Sequence, residues 1–455
     1  MSDTHNPGAT WYEAMQVAAP ERPQLTFDFD VDVCVVGAGL AGLTVAREVA
    51  RRGWTVAVLE ASRVAWAASG RNTGFVLPGF QEDHERMIER IGLDQTKELW
   101  ALSEQGLAYV RRAIDEIGMP GVEPVPGWLY VSKTDESGRE SRTEVERLRW
   151  IGAEVEAWST ERVREVLANR RYFSAVHFPT AFHINPLNYA LGLAVDAEAA
   201  GARIFEHTPA VSIDPTGVRK RIITPHARVR APHVVLAGNV QIGALLPELA
   251  ATLVPANTFV MVSEPIGPQL SDVIRYRGAV SDGPRADNHF RIVGDQESGE
   301  RLQWSGRMRV WEADPRKFAR ALQRDIRRAF PELGPVPIAH LWRGTLGIAV
   351  HHMPQIGELE PGQWVASGFA GHGLNTTAMA GELIARGIVD KDDTWRLFAP
   401  YELVWAGGTA GRALAQTLYW TRGARDTAAQ VMAQRRARAR QRKAARRAAQ
   451  TQAAE

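Results

Sequence analysis

Gly37, Gly39 and Gly42 stand at GxGxxG spacing in the run Gly37-Ala38-Gly39-Leu40-Ala41-Gly42. The β-branched stretch Val31-Asp32-Val33-Cys34-Val35-Val36 precedes this run, and Leu43, Val45, Ala46, Val49 and Ala50 follow it at helical spacing. Strand, glycine turn and helix in that order form a cradle for a pyrophosphate. Gly37 permits the tight turn, Gly39 lets the backbone approach the phosphates, and Gly42 lets helix and strand pack closely. The phosphates then meet free N–H groups and the positive end of the helix dipole. A second strand, Thr55-Val56-Ala57-Val58-Leu59-Glu60, ends in an acid. Its carboxylate can accept hydrogen bonds from a ribose and would repel a 2′-phosphate. Together these residues specify an adenine dinucleotide without saying which one.

Two further segments decide between the candidates. Ala68-Ser69-Gly70-Arg71-Asn72-Thr73-Gly74 is small and polar, and its backbone amides, Ser69 and Asn72 can reach a planar ring system. Near the other end, Gly368-Phe369-Ala370-Gly371-His372-Gly373-Leu374-Asn375 opens a helix, so its free amides can face a second anion. A flavin that has taken up hydride carries negative charge near N1 and the C2 carbonyl and needs such a partner, whereas a nicotinamide does not. FAD is the expected cofactor.

These residues need a scaffold. The first strand, glycine turn, helix and second strand make a βαβ unit, which must be parallel with a right-handed crossover. Residues 82–118 carry Leu99, Leu102, Leu107, Val110, Ile114 and Ile117 at helical spacing, and a strand is expected from Gly127 to Lys133. A helix from Leu187 to Ala200, a strand from Ala202 to Glu206 and a buried strand at Val234-Val235-Leu236-Ala237 extend the same layers. Between 253 and 350 short strands dominate: Thr258–Ser263, His289–Val293, Leu302–Ser305 and Ala339–Gly344. Trp364–Gly368 is a last strand, leading into a helix from Leu374 to Ile388. The fold class is therefore α/β, a Rossmann-like FAD-binding domain with a parallel sheet plus an α+β substrate domain with a mainly antiparallel sheet. The chain divides into an N-terminal arm (1–28), FAD-binding segments (29–80, 151–252 and 351–392), a helical and substrate-domain segment (81–150), the substrate domain (253–350), C-terminal helices (393–430) and a basic tail (431–455). The arm carries Trp11 and Tyr12 but little periodicity, and it is expected to pack on the surface.

The runs from Asp32 to Phe75 and from Gly344 to Ile388 resemble the D-amino-acid-oxidase superfamily of flavoproteins, and within it the gamma-glutamylputrescine oxidase-like amine oxidases. The Ser69-Gly70-Arg71-Asn72 element, the Met353-Pro354-Gln355-Ile356-Gly357 turn and the start of the helix at Gly371-His372-Gly373 carry the resemblance, with a weaker match at His289-Phe290-Arg291. It spans residues 11 to about 390 and is specific at its ends. The resemblance implies hydride transfer from the α-carbon of a neutral amine to flavin N5. The imine is then hydrolysed to aldehyde and amine or ammonia, and O2 is reduced to H2O2. It assigns to the cofactor Gly37 through Gly42, Glu60, Ala61, Ser62, Arg63, Ser69 through Gly74, Val211, Pro354, Gly357, Gly368, Phe369 and Gly371 through Asn375. His352, Trp342, Arg343 and His372 are expected to line the substrate cavity, with Arg291 as an anion anchor. The residues tethering covalent FAD in some relatives, a late cysteine or a histidine after the second strand, have no counterpart here, so the FAD is expected to be non-covalent. Gln303 falls where sarcosine-oxidase relatives carry a lysine that speeds reaction with O2, which leaves an oxidase and a dehydrogenase both open. The substrate class implied is a gamma-glutamyl-amine or polyamine-derived amine, the alternative being an amino acid or hydroxy acid whose electrons pass to another acceptor.

Composition excludes several other classes. Hydrophobic residues make up 45% and charged residues 23% of 455, close to soluble globular averages. No stretch approaches the roughly 20 apolar residues of a spanning helix, nor does the start read as a signal peptide, so a cytoplasmic location is expected. Cys34 is the only cysteine, which rules out an intramolecular disulfide and a cysteine-based metal cluster, and no metal is expected. The last 21 residues, from Arg435, hold seven Arg and one Lys against Glu455 alone. Residues 434–449 favour helix by composition but lack an apolar face, so a solvated or disordered tail is expected, open to peripheral contact with an anionic surface but to no specific nucleic acid.

Overall fold

The run Val33–Val36 is β-branched around Cys34, and a strand apolar on both faces must lie inside a sheet. In the computed structural model, which describes residues 8–282, 288–295 and 299–452, this strand is central to a six-stranded sheet. Residues 1–7 of the expected arm, 283–287 and 296–298 of the expected substrate domain, and 453–455 of the expected tail lie outside the described residues. Cys34 pairs with Ala57 on one side and Val234 on the other. Strands Arg203–Phe205, Val56–Leu59, Val33–Val36, His233–Leu236 and Gln363–Ser367 run parallel in that order, and Gln355–Glu360 closes the edge antiparallel. Cys34 is fully buried, and burial raises its thiol pKa, as expected for an inert core residue.

Helices Leu40–Arg51, Leu93–Ile117, Pro186–Ala199 and Gly373–Val389 cover one face of this sheet. Two of the crossings are set by glycine. A side chain on Gly381 would press on Thr44, and one on Gly106 would press on the Asn375 carbonyl, so both glycines let the last helix settle deep between the other two. The opposite face buries Val36, Leu59 and Leu236 against Ile222 and Val229 of a small four-stranded sheet.

Among the described residues a second large sheet has nine strands and is almost entirely antiparallel. The expected strands between 253 and 350 are present, as Leu253–Ser263, Asn288–Val293, Arg301–Arg309 and Ile338–Ala349. The sheet also recruits Phe75–Val76, Val125–Val131 and Ala175–His183 from earlier in the chain. The Rossmann-like α/β architecture with an antiparallel second layer is thus observed.

Most of residues 14–28 of the arm is exposed, but Trp11 and Tyr12 are buried in a helical turn, Trp11–Ala14, capped by Thr10, whose hydroxyl accepts the Glu13 N–H at 3.0 Å. Through Gln452 the basic C-terminus is helical, as its composition favours: one helix runs from Gly408 to Gln452, and the boundary expected at 430 falls inside it. No helix among the described residues is long and apolar enough to cross a membrane.

Candidate functional site

Three neighbouring parallel strands end at the same edge of the sheet, each beside a glycine: Val36 before Gly37, Leu236 before Ala237-Gly238, and Ser367 before Gly368. The C-terminal edge of such a sheet is where ligands bind. Gly37 has φ +108, a conformation an L side chain rarely adopts, and its carbonyl occupies the place a Gly42 side chain would need. The helix that follows has no side-chain cap from Gly39 itself, a glycine having none to offer. Glu60 closes the turn, accepting the Ala38 N–H and the Ser62 N–H, each at 2.8 Å. Burial raises its carboxyl pKa against the opposing pull of those amides.

The 68–74 segment folds back over this turn. Ser69 Oγ accepts the Leu40 N–H at 2.9 Å, so it faces the glycine turn rather than a ring system. Asn72 is spent inside the segment: its amide donates to the Ser69 carbonyl at 2.8 Å, and its oxygen accepts the Gly74 N–H. Arg71 points away, donating to the Gly8 carbonyl at 2.8 Å and pairing with Glu13 at 3.2 Å. Gly70 is enclosed, facing the Ala65 carbonyl and Leu187. Arg63 lies over the Trp66 ring, and Val211 is half exposed, its N–H on the Ile223 carbonyl.

The second glycine motif is fastened by the Ile338–Ala349 strand. Ile348 bridges Phe369, and the Gly347 carbonyl accepts the Ala370 N–H at 3.1 Å. On the same strand Trp342 donates its indole N–H to the Arg71 carbonyl at 2.9 Å, so one strand holds both the 68–74 segment and the 368–375 segment. Trp342 is fully buried and braces this arrangement instead of lining a cavity. Arg343, partly exposed, lies 3.7 Å from Glu312. His352 takes a left-handed φ of 58 in the turn after that strand, and Pro354 is buried just beyond it. Gly357 packs its bare face on Trp395. The helix starting at Gly373 has no side-chain cap, and nothing stands within 4 Å of where a Gly373 side chain would project. Asn375 is buried, its amide on the Gly79 carbonyl at 3.1 Å.

His372, at the N-cap of that helix, meets His289 from the antiparallel sheet closely enough that charge on one opposes charge on the other. Both rings lie deep in the protein yet keep part of their surface accessible. Burial pushes each imidazole down to about 4, so both are neutral at physiological pH. Trp128 donates its indole N–H to Ser281 Oγ at 2.8 Å, and Ser281 Oγ lies 2.7 Å from His289 Nδ1, so one hydroxyl ties both rings. Sequence reasoning named His372 but saw His289 only as part of a motif; Ser281 and Trp128 gave no local signal.

A histidine whose folded pKa lies below its unfolded value binds fewer protons when folded, so stability is lost as pH falls through the window from 6.5 to about 4. We expect the urea midpoint of the apo-protein to drop between pH 6.5 and 5, and to drop less in His289→Gln. Equal slopes for the two proteins would contradict these assignments.

Arg291 is buried, and all five of its N–H groups are taken: by His183 Nδ1 at 2.8 Å, the Ile184 carbonyl at 2.7 Å, the Tyr12 hydroxyl at 3.1 Å, and Gln303 Oε1 at 3.2 and 3.3 Å. No N–H remains for an incoming anion, so the expected anchor is a saturated structural cation. Arg291 also packs against Gly74, where a side chain would meet its guanidinium.

Helix N-termini at two glycine motifs, an acid at the end of the second strand and open space beside Gly373 fit a dinucleotide with two negative regions. Comparison with known proteins agrees. Residues 32–386 match the family model described as FAD dependent oxidoreductase. The chain is 30% identical over 370 residues to gamma-glutamylputrescine oxidoreductase of Escherichia coli K12, covering 80% of this chain and 85% of that protein. Among solved structures, glycine oxidase from Geobacillus kaustophilus superposes with a TM-score of 0.67 at 20% identity, covering 82% of this chain and 98% of that one. L-proline dehydrogenase from P. horikoshii gives 0.67 at 19%, covering 84% and 100%. The cofactor is FAD, and the chain belongs to the FAD dependent oxidoreductase family.

Proposed function

We infer that the protein oxidises a C–N bond of an amine, with a gamma-glutamyl-amine or related polyamine-derived compound as substrate. The observation that carries this is the pair His289 and His372, two imidazoles that are neutral at physiological pH, with His372 inside the second glycine motif. Neutral side chains beside the cofactor motif favour an amine entering as the free base, the form able to release hydride. Similarity to gamma-glutamylputrescine oxidoreductase supports the substrate class. Bound FAD supplies the hydride acceptor. The Gly37–Gly42 turn and the helix behind it would hold the pyrophosphate, with Glu60 on the ribose and Ala61, Ser62, Arg63 and Val211 around the adenosine. The 69–74 and 368–375 segments would flank the ring system. The free ring nitrogen of His289 would orient the substrate, and the two imidazoles would add no charge to the site. The resulting imine is hydrolysed to aldehyde and amine or ammonia, while O2 becomes H2O2.

The test is anaerobic mixing of the purified protein with gamma-glutamylated and free amines while the visible flavin band is followed. Bleaching by a gamma-glutamyl-amine is expected; bleaching by amino or hydroxy acids alone would sink the proposal. A second reading, a dehydrogenase passing electrons to another acceptor, is favoured by Gln303, a neutral residue whose amide donates to the Thr73 carbonyl at 2.9 Å where sarcosine-oxidase relatives carry a lysine. Stopped-flow reoxidation by O2 separates the two, fast reoxidation marking the oxidase.

A further inference from the structure

The matched family region begins at residue 32, yet an earlier residue reaches the interior beside the 69–74 segment. Tyr12 donates its hydroxyl proton to Gln303 Oε1 at 2.9 Å and accepts from Arg291 at 3.1 Å. Gln303 passes the contact on, its amide donating to the Thr73 carbonyl at 2.9 Å. Glu13 and Gly8 meanwhile hold Arg71, whose own carbonyl is held by Trp342. The Tyr12 ring packs edge-on against Trp342 at 5.4 Å, so the arm touches both anchors of the segment.

We propose that Tyr12 is a positioning residue of the flavin site: its hydroxyl fixes Gln303 and Arg291, and through them Thr73 and Gly74. Charge gives the hydroxyl this leverage. Arg291 is buried among neutral acceptors only, and a buried guanidinium that loses an acceptor must find another. His183 cannot supply more, because burial and the neighbouring cation hold it neutral, with Nδ1 already accepting from Arg291 and Nε2 facing the Arg277 carbonyl at 2.9 Å. Without the Tyr12 hydroxyl the guanidinium and Gln303 therefore shift together, and the groups they hold are Thr73 and Gly74.

The proposal rests on residues 69–74 belonging to the cofactor site. The test uses the full chain, stripped of FAD and reconstituted. Tyr12→Phe keeps the ring against Trp342 and removes only the hydroxyl. Its FAD Kd is expected to rise about tenfold, the weight of one hydrogen bond to a charged group, and the visible circular dichroism of the bound flavin is expected to change. Gln303→Leu, which cuts the same route at its other end, is expected to reproduce both effects. The double variant should be no worse than the more affected single one, since the two act in series. Unchanged Kd and flavin dichroism in Tyr12→Phe would overturn the proposal, as would strictly additive losses in the double variant. Should Tyr12→Phe not fold, normal FAD binding by Gln303→Leu overturns it equally. Failure of the wild type to take up FAD would instead remove the cofactor assignment beneath it.

Discussion

Gly42→Ala is expected to purify without flavin. A Cβ at this position would be driven into the Gly37 carbonyl and lie 3.0 Å from Val35 Cγ1. Both obstacles belong to the turn and strand that define the site, and a carbonyl in a tight turn cannot rotate away as a side chain can. The helix must lift from the strand, which typically costs 1–3 kcal/mol, roughly. The displaced groups are the turn and helix-start backbone expected to meet the pyrophosphate, so the loss falls on binding. An FAD Kd raised about 100-fold or more is expected, measured by quenching of flavin fluorescence on titration of the apo-protein. Gly53→Ala is the control. Gly53 has a positive φ of 80 but nothing within 4 Å of the added atom, so it bears backbone strain of about 1 kcal/mol remote from the turn. Gly53→Ala should lower stability and leave FAD affinity unchanged. Native affinity in Gly42→Ala would mean that the pyrophosphate does not sit on this turn.

How far the sequence disclosed this site depends on the range of the interactions involved. The strand, glycine turn and helix from Val33 to Arg51 are legible because each step is local: a β-branched run, glycines where a side chain would collide, then apolar residues at helical spacing. The same holds for Trp364–Ile388. Side-chain direction is not legible. Ser69 and Asn72 have the chemistry to meet a ring system, but one accepts from the glycine helix and the other closes its own loop. Arg291 reads as an anion anchor because its partners are distant in sequence; its acceptors come from positions 12, 183, 184 and 303, and they leave no N–H over. Tyr12 is the extreme case. Two aromatics in an aperiodic stretch carry no directional signal, and the Gln303 that Tyr12 meets lies 291 residues away. The tail's helix was legible because composition is local: Ala, Arg and Gln favour helix without an apolar face, and the backbone stays helical to Gln452.

The cofactor helix is held in place by a buried cation, and Arg47→Met is expected to destabilise the apo-protein by about 3–5 kcal/mol. Arg47 is fully enclosed, with its guanidinium 2.5 Å from Asp196, 2.8 Å from the Tyr109 hydroxyl, 3.0 Å from Glu48 and 3.3 Å from Glu116. Burial alone would push its pKa down; Tyr109 and Asp196 outweigh burial and keep it charged. These partners lie on three helices, Leu40–Arg51, Leu93–Ile117 and Pro186–Ala199, so the residue joins the helix behind the glycine turn to both of its neighbours. Methionine fills much of the volume but leaves Asp196 and Glu48 with less compensation, and removal of one partner from a buried ionic network is the costly case. Arg51 supplies the contrast. It bonds the same Glu116 and Asp196, at 3.4 and 3.1 Å, from a side chain 38% exposed. Solvent screens it, and Arg51→Met should cost less than about 1 kcal/mol. Urea unfolding of the two apo-proteins checks both values, the FAD being left out because a bound ligand would mask the loss. Equal midpoints for the two variants would show that burial does not set the strength of this network. A large loss in Arg47→Met alone would place the rigidity of the FAD site in the helix packing beneath it as well as in the glycines that face the cofactor.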